Sequence, residues 1–362
     1  MKKVLFFAPK FGNGGIVSWA TKFVATFPKD EFDIISVSSN YKPKNISANK
    51  IMRILVGIKE LFVCLSQLLK VLKSVDVDIL HTTTSGKMGS LKDCIVGLVC
   101  RHYGIKSILH CHYGCIPQIL DSNSLTKKIL LHSFKYYNQI WVLDENTFNR
   151  LSAIESRTWE VCLTPNSIVV PPIESIAPKL YKKFAFIANV LPTKGIFELL
   201  EAFKSGPDST YLHIVGPSSA DVKQRMASIS GTLWGDKIKY HGKLSNDEVI
   251  QFMSNIDVLV LPTYFEGEAF PISILEAMSQ GKLVISTPRA AISDMLTAVD
   301  GSQCGILVKE KDVQSLADAI FFCVNNTSKA DEMCRKAYEK VYTAYRTEVV
   351  YETYKTLYRK LI

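Results

Sequence analysis

The stretch that decides the fold begins with Ile256-Asp-Val-Leu-Val-Leu-Pro262 and continues through a loop into Glu268-Ala-Phe-Pro-Ile-Ser-Ile-Leu-Glu276. The first run is short and apolar, which is typical of a buried strand. The second predicts a helix over about 271–280, because Pro271 suits a first helical position and Gly281 a helix end. A buried strand, a loop and a helix start together form one crevice edge of an α/β sheet, where ligands bind.

Two carboxylates, those of Glu268 and Glu276, flank the start of this predicted helix. Unpaired backbone N–H groups at a helix start attract a phosphate, whereas carboxylates repel phosphate and accept hydrogen bonds from neutral hydroxyls. A sugar nucleotide carries both kinds of group. The alternative is that these glutamates and the neighbouring Glu266 are solvated charges on a loop and a helix surface.

Apolar strand patterns alternate with helical patterns along the whole chain, which predicts parallel sheets built from βα repeats. Between the two series, four prolines within 165–178 prevent regular structure. We therefore expect two doubly wound, Rossmann-like α/β domains at 1–165 and 183–345, joined by a linker at 166–182 and facing each other across a cleft. The predicted strands are 4–8, 33–37, 78–81, 107–112 and 139–143 in the first domain, and 184–188, 211–215, 238–240, 258–261 and 283–286 in the second.

The decisive stretch, extended from Tyr264-Phe-Glu266-Gly-Glu268 to Gly281-Lys-Leu-Val-Ile, resembles the signature of retaining glycosyltransferases of family 4, the glycosyl transferases group 1 of GT-B fold. The resemblance covers nearly the whole chain. It implies that Glu268 contacts sugar hydroxyls, that Glu276 contacts the ribose, and that helix-start amides at Ala269 and Phe270 bind the donor. It also implies that a final helix over 346–362 packs back on the first domain.

The segment Phe186-Ile-Ala-Asn189-Val-Leu-Pro-Thr-Lys194-Gly195 resembles the family segment in which an arginine and a lysine clamp the diphosphate. Lys194 matches the lysine, but Asn189 replaces the arginine. An asparagine donates hydrogen bonds without carrying charge, so the departing diphosphate is less strongly neutralised here unless another cation substitutes. Outside this family context, a lone lysine before a glycine is usually a surface residue.

The turn Lys10-Phe-Gly12-Asn-Gly14-Gly15 joins the first strand to a helix, and its glycines let the backbone approach a phosphate. It fails as a dinucleotide fingerprint, because Val17 occupies the third glycine position, and it also fails as a P-loop. In the resembled family this loop lies over the diphosphate of the donor, so Gly14 and Gly15 are donor-binding candidates. The alternative is a plain tight turn.

His112 ends a predicted strand at the edge that faces the expected cleft, where the resembled family commonly places a histidine beside the transferred sugar. Polarising a hydroxyl is the role that the resemblance implies. His110, two residues earlier on the same strand face, competes for this assignment from deeper in the sheet, and a lone histidine is more often structural. The resemblance also assigns the loops at Gly216 and Leu244 to the nucleoside base.

Composition narrows the choice of metal ions and partners. The chain has 362 residues, a formal net charge of +9 and nine cysteines that lie mostly in apolar segments, which is typical of reduced thiols in a cytosol. The cluster His110-Cys-His112-Tyr-Gly-Cys115 lacks the second ligand pair of a zinc site, so we expect no metal ion.

Residues 49–75 combine apolar positions with basic ones in helical spacing, which favours an anionic membrane surface over nucleic acid. The alternative is a helix that faces the core.

These features together predict an enzyme that transfers a hexose from a nucleoside-diphosphate sugar, with UDP-sugar favoured, to an acceptor hydroxyl. The resemblance implies retention of configuration without a cofactor or metal ion, with His112, Lys194 and Glu268 as catalytic candidates. The expected acceptor is a glycan or lipid-linked glycan in bacterial surface polysaccharide assembly, met in the cytoplasm or at the inner membrane face. A sugar-nucleotide epimerase of the same fold and a non-catalytic sugar-nucleotide or glycan-binding protein stay open as alternatives.

Overall fold

The computed structural model describes residues 1–12, 14–40, 50–86, 89–172, 176 and 179–362, and it leaves the side chains at 50, 51, 53 and 54 outside the description. Contacts between residues divide the chain into two compact units. Unit 1 comprises Met1–Asn166 and Val350–Ile362, and unit 2 comprises Ser167–Val349. The predicted linker 166–182 therefore belongs to unit 2 from Ser167 onward.

Unit 1 is built on a six-stranded sheet in which every pair of neighbouring strands is parallel. Its strands are β1 (Lys2–Ala8), β2 (Phe32–Ser38), β3 (Ile79–Thr84), β4 (Lys106–Cys111), β5 (Gln139–Val142) and β6 (Glu160–Leu163), in the order β2-β1-β3-β4-β5-β6. The central strands are buried on both faces, as their near-continuous apolar runs predict. The strand order reverses between β1 and β3, which is where a doubly wound sheet opens a ligand crevice.

Helices cover the faces of this sheet. They are α1 (Gly15–Thr26), α2 (Lys50–Ser74), α3 (Gly89–His102), α4 (Ile116–Asp121), α5 (Leu125–Phe134) and α6 (Glu145–Ser152). The starts of α5 and α6 follow from their capping residues, because the Ser124 hydroxyl accepts a hydrogen bond from the Lys127 N–H and the Asp144 carboxylate accepts one from the Thr147 N–H.

Unit 2 repeats the plan with a second six-stranded parallel sheet, in the order β12-β11-β10-β7-β8-β9. Its strands are β7 (Lys183–Ile187), β8 (Tyr211–Val215), β9 (Ile238–Gly242), β10 (Val258–Leu261), β11 (Leu283–Ser286) and β12 (Ile306–Leu307). The remaining helices are α7 (Ile196–Lys204), α8 (Ala220–Ser230), α9 (Asn246–Ser254), α10 (Ile272–Ser279), α11 (Ile292–Met295), α12 (Val313–Asn325), α13 (Thr327–Lys340) and α14 (Thr347–Arg359). The switch point of this sheet lies between β7 and β10.

Most of helix α14 belongs to unit 1 although it follows unit 2 in the chain. The rings of Tyr354 and Tyr358 are fully buried there, and the Lys355 ammonium lies 2.9 Å from a carboxylate oxygen of Asp30. The Arg359 guanidinium pairs with Glu31. The final helix therefore completes the core of unit 1 and is held at its rim by charge pairs.

The predicted fold class, two doubly wound α/β sheets, is confirmed, and all ten predicted strands occur within a few residues of their predicted bounds. Two short strands, β6 and β12, were not predicted. The prediction that Pro271 is the first helical residue is wrong by one position, because Pro271 is the N-cap with extended backbone and α10 begins at Ile272. Gly281 follows the helix end with φ +60°, in the left-handed conformation that glycine adopts readily.

Helix α2 divides into two halves with different surroundings. Cys64, Leu68 and Leu72 are buried against the sheet and α3, whereas Leu55 and Phe62 are 55% and 70% exposed. The alternative of a core-facing helix for 49–75 therefore applies to the C-terminal half, whereas the N-terminal half leaves apolar side chains in solvent. Position 49 lies outside the described residues. Of the helices that the structure describes, none is long and apolar enough to cross a membrane.

Candidate functional site

The loops that follow β7 and β10 flank the switch point of unit 2, and they place two predicted site residues in contact. The Lys194 ammonium lies 2.5 Å from Oε2 of Glu268, with only 13% and 9% of the two side chains exposed. The ammonium also lies 5.2 Å from the centre of the Phe265 ring. Buried charges are stable only when they are paired, so each of these two side chains holds the other in place.

A glycine makes this contact between distant segments possible. Gly195 has φ +78°, and a Cβ built on it would lie 2.1 Å from the carbonyl oxygen of Pro262. No side chain fits in that space, so the chain after β7 can approach the end of β10 only with glycine at this position. The Tyr264 N–H donates to the carbonyl oxygen of Thr193 at 2.9 Å, which fixes the two loops against each other.

A second glycine joins the loops after β7, β8 and β9. Gly216 has φ +137°, and a Cβ on it would lie 1.8 Å from the carbonyl oxygen of Ala188, directly before Asn189. The Gly216 N–H donates to the carbonyl oxygen of Gly242 at 2.8 Å. The backbone therefore brings Asn189 close to the loop at Gly216, and Leu244 follows two residues after Gly242 as a half-buried side chain.

The residues before and within α10 show different degrees of burial. Ala269 and Phe270 are buried, and the Ala269 carbonyl accepts a hydrogen bond from the Ala291 N–H at 3.1 Å. The Phe270 ring meets the Tyr345 ring edge to face at 5.3 Å. Glu276 lies half-buried in the second turn of α10. The structure thus joins Glu268 directly to Lys194, while Glu276 lies on the helix that follows.

In unit 1, His112 lies at the carboxyl edge of the sheet, as predicted, but β4 ends one residue before it, at Cys111. Only 6% of His112 is exposed, and burial lowers the pKa of its imidazole to about 3. Within the described part of the chain, its Nε2 atom has no hydrogen-bond partner. A neutral imidazole with an unused ring nitrogen can donate or accept one hydrogen bond, but it does not contribute a positive charge.

His110 lies deeper in unit 1 and is fully buried, and its ring nitrogens face His81 and Thr164. This position matches the expectation that His110 is the more interior of the two histidines. Sequence reasoning missed His81 and Trp19, whose rings pack around this pair. No local sequence signal marks these two residues, because their contacts with His110 and His112 join segments far apart in the chain.

The glycine loop of unit 1 lies at the switch point between β1 and β3. Gly14 is the N-cap of α1, Gly15 is its first residue, and Asn13 lies outside the described residues. A Cβ added to Gly14 or Gly15 meets no described atom within 4 Å, and neither glycine has a positive φ. Local packing therefore does not require glycine at these two positions, which leaves room for a close approach to the backbone.

Across the ranges that the structure describes, no group of three or more His, Cys, Asp or Glu side chains is placed to hold a metal ion. All nine cysteines are free thiols, most of them buried. The charge at the switch point of unit 2 comes instead from the Lys194–Glu268 pair.

Comparison with known proteins assigns the second half of the chain. Residues 174–340 match the family model described as glycosyl transferases group 1. We refer to this matched segment as the group 1 domain. This group 1 domain contains Asn189, Lys194, Glu268 and Glu276, while Gly14, Gly15 and His112 precede it in the chain.

Five curated relatives match between 32% and 49% of this chain. Over 177 residues the chain is 27% identical to the N,N'-diacetylbacillosaminyl-diphospho-undecaprenol alpha-1,3-N-acetylgalactosaminyltransferase of Campylobacter jejuni, and the match covers 49% of this chain and 44% of the relative. For five curated relatives, the matched segment spans between 29% and 44% of the relative's own length. The match to each of these five thus covers less than half of the relative.

Solved structures extend the likeness over the whole chain. Sucrose-phosphate synthase from Thermosynechococcus elongatus has a TM-score of 0.75 at 15% sequence identity, with 100% of this chain and 99% of that chain covered. Anabaena Alr3699/HepE in complex with UDP and glucose has a TM-score of 0.71 at 13% identity, with 99% and 100% covered. The predicted GT-B fold around the group 1 domain is therefore confirmed.

Proposed function

We propose that this protein is a glycosyltransferase that moves a sugar from a nucleoside-diphosphate sugar to an acceptor hydroxyl. The observation that carries the proposal is the buried Lys194–Glu268 pair at the switch point of unit 2, inside the group 1 domain. A nucleotide-sugar donor presents a diphosphate and sugar hydroxyls side by side. The pair matches both groups, because an ammonium binds phosphate oxygens and a carboxylate accepts hydrogen bonds from hydroxyls.

The pairing of Lys194 with Glu268 also gives the site a preference for the complete donor. Removing one member of a buried ion pair costs about 3–5 kcal/mol, because the other charge is left without a partner. An intact donor offers a new partner to both side chains at once, whereas free phosphate or free sugar offers one partner only. We therefore expect the site to bind the intact donor in preference to either part of it.

We further propose the family 4 mechanism, with hexosyl transfer, retention of configuration and no metal ion. In this mechanism, Lys194 and the amides near Phe270 stabilise the departing nucleoside diphosphate, and Glu268 orients the sugar. In unit 1, we assign His112 to a sugar hydroxyl, because it follows β4 at the carboxyl edge of the sheet and its ring is neutral. Gly14 and Gly15 then approach the diphosphate, and the loops at Gly216 and Leu244 hold the nucleoside base.

For the donor and acceptor, the relatives favour particular classes. HepE was solved in complex with UDP-glucose, which supports a UDP-sugar donor. The Campylobacter relative is named for an acceptor linked to diphospho-undecaprenol, and the Erwinia amylovora relative for amylovoran biosynthesis. We propose a glycan or lipid-linked glycan acceptor in bacterial surface polysaccharide assembly, on the cytoplasmic side of the membrane.

The exposed N-terminal half of α2 gives unit 1 a surface for that membrane. Leu55, Ile58 and Phe62 are 55%, 48% and 70% exposed, and the exposed Lys59 lies among them. Apolar side chains enter the lipid interface, and each lysine near an anionic leaflet adds about 1 kcal/mol that salt screens. We propose peripheral docking at the inner membrane face through this half of α2.

Co-sedimentation with anionic vesicles tests the docking. Charge reversal by Lys59→Glu should weaken binding mainly at low salt, whereas Phe62→Ser should weaken it at every salt concentration. Phe321→Ser is the matched control, because Phe321 is a 41% exposed aromatic on α12 of unit 2. Equal sedimentation of the Phe62 and Phe321 variants would show that α2 does not contact the membrane.

The glycosyltransferase activity itself is tested with a panel of UDP- and GDP-sugars, with and without a lipid-linked glycan extract. Mass spectrometry of the released nucleotide and of the glycan should show acceptor-dependent release from one donor. Interconversion of free UDP-sugars without acceptor would instead indicate an epimerase. Donor binding without turnover would indicate a non-catalytic binding protein, which the loss of charge at Asn189 would then explain.

A further inference from the structure

A chain of hydrogen bonds runs through the core of unit 1 from its last helix to its central strands. The Tyr358 hydroxyl lies 2.7 Å from Nδ1 of His81, and Nε2 of His81 lies 3.3 Å from Nδ1 of His110. On the far side, Nε2 of His110 lies 3.4 Å from the Thr164 hydroxyl, which donates to the carbonyl oxygen of Val142. All of these side-chain groups are fully buried.

One direction of hydrogen bonding gives every donor in this chain an acceptor, and that direction assigns a tautomer to each histidine. Burial holds the pKa values of His81 and His110 well below the ordinary value, so both rings are neutral and each carries one proton. Because the Thr164 hydroxyl donates to Val142, it accepts from Nε2–H of His110. His110 Nδ1 then accepts from Nε2–H of His81, whose Nδ1 accepts from the Tyr358 hydroxyl. Every donor in the chain has one acceptor in this arrangement.

His112 does not take part in this chain, but its ring packs against it. The centres of the His112 and His110 rings are 4.1 Å apart, and the Trp19 ring centre lies 4.2 Å from His112 on another side. Nε2 of His112 is buried and has no hydrogen-bond partner among the described residues, so packing against the neighbouring rings holds that side of the imidazole. The orientation of His112 thus depends on where His110 is held.

We propose that His110 is a positioning residue for His112, and that the Tyr358 hydroxyl, acting through His81, fixes His110 in one tautomer and one orientation. This inference rests on the proposed function, because it assumes that His112 contacts the transferred sugar. It gives α14 a part in the reaction although Tyr358 itself does not contact the donor. The effect is local to unit 1, and it leaves the Lys194–Glu268 pair of unit 2 untouched.

The test compares two single-hydroxyl deletions in α14. Tyr358→Phe removes the first donor of the chain, whereas Tyr351→Phe removes a hydroxyl from the same helix that lies 2.8 Å from the Thr26 hydroxyl. We expect Tyr358→Phe to lower the turnover number of transfer by roughly tenfold, as for a misplaced group in an active site, with an unchanged KM for the donor. Tyr351→Phe should stay within twofold of wild type in both constants.

Nitrogen NMR of the histidine rings gives a readout that a merely structural role would not change. His81 and His110 should each show a single Nε2–H tautomer in the wild type and in Tyr351→Phe, and mixed tautomers in Tyr358→Phe. Equal turnover or equal ring signals in the two tyrosine variants would overturn the inference while leaving the glycosyltransferase proposal intact. If His112→Ala transfers sugar like the wild type, the role assigned to His112 fails and the inference fails with it.

Discussion

The carboxyl edges of the two sheets carry different chemistry on the same architecture. In unit 2, the switch point holds the charged pair of Lys194 and Glu268, buried and in contact. In unit 1, the corresponding edge holds His112, an imidazole that burial keeps neutral, packed among the rings of Trp19 and His110. One edge therefore carries a pair of opposite charges, and the other carries a neutral imidazole.

This difference separates what the doubly wound fold determines from what it leaves open. The strand order fixes where a crevice forms, because the loops diverge at the switch point. The loop residues then decide the character of that crevice. Under the proposed function, unit 2 binds and releases a charged group while unit 1 orients a neutral one, and the following changes test that difference.

The largest effect should come from Lys194→Ala. It leaves the Glu268 carboxylate buried without its partner, so we expect unit 2 to lose about 3–5 kcal/mol of unfolding free energy and the protein to lose most of its turnover. Urea unfolding and nucleotide release measure the two effects. The double variant Lys194→Ala/Glu268→Ala should regain much of the stability but none of the activity. Wild-type nucleotide release by Lys194→Ala would remove Lys194 from the diphosphate site.

The neutral edge of unit 1 should lose stability in acid. In the folded state, burial holds the pKa values of His81, His110 and His112 below the unfolded value of about 6.5. Their contribution to the free energy of unfolding is therefore complete above about pH 6.5 and is lost as the pH falls below that value. At about pH 5.5, each of these histidines has lowered the free energy of unfolding by about 1.4 kcal/mol. Burial raises the pKa of Asp93 to about 6. Protonation of this carboxylate in acid has the opposite effect and restores part of the lost unfolding free energy.

We therefore expect unit 1 to lose about 3 kcal/mol of unfolding free energy between about pH 7.5 and 5.5. Urea unfolding of a Trp234→Phe variant measures this, because its remaining tryptophans, at 19, 141 and 159, all lie in unit 1. A stability that is constant over this pH range would contradict the conclusion that the three histidines are neutral in the folded state.

A smaller effect should distinguish the two glutamates of the group 1 domain. Loss of a buried hydrogen-bond acceptor costs about 1–3 kcal/mol, so Glu276→Ala should weaken binding of both UDP and the UDP-sugar if it contacts the ribose. Glu268→Ala should weaken binding of the UDP-sugar without weakening that of UDP, since UDP lacks the sugar. Calorimetric titration of each variant with both ligands tests the assignment. Unchanged affinities in both variants would show that neither glutamate binds the donor.

The smallest effect expected is that of Asn189→Arg, which adds a positive charge beside the loop at Gly216. Turnover should be maintained or improved, because the departing diphosphate gains a second cationic partner. Asn189→Gln is the control, since it preserves the amide and adds no charge. A fall in turnover for the arginine variant alone would mean that the site is adapted to a single cation at Lys194.

The sequence alone predicted the doubly wound sheets because each central strand is a buried apolar run that tertiary contacts do not alter. Val258–Leu261 and Leu283–Ser286 were predicted with their observed bounds. Strands β6 and β12 were missed for a physical reason: Glu160–Leu163 begins with an exposed charge, and Ile306–Leu307 has only two residues. Such edge strands lack the apolar length that gives a recognisable pattern.

The candidate site was predicted as a set of residues but not as an arrangement. Lys194 and Glu268 were each assigned to the donor, yet their pairing across 74 positions of sequence became visible only in the structure. The chain from Tyr358 to His81 joins residues 277 positions apart and left no sequence signal. The spacing of apolar residues indicates the environment of a single helix or strand. These contacts depend instead on which segments the strand order of the sheet brings together.

The return of α14 to unit 1 has a consequence for synthesis on the ribosome. Domains generally fold in the order in which they emerge, but unit 1 lacks Tyr354, Tyr358 and the partner of Asp30 until residues 350–359 have been made. All of unit 2 is translated before then. Part of the core of unit 1 therefore stays uncovered while unit 2 is being translated. His81 gains its hydrogen bond from the Tyr358 hydroxyl only when translation of α14 is nearly finished.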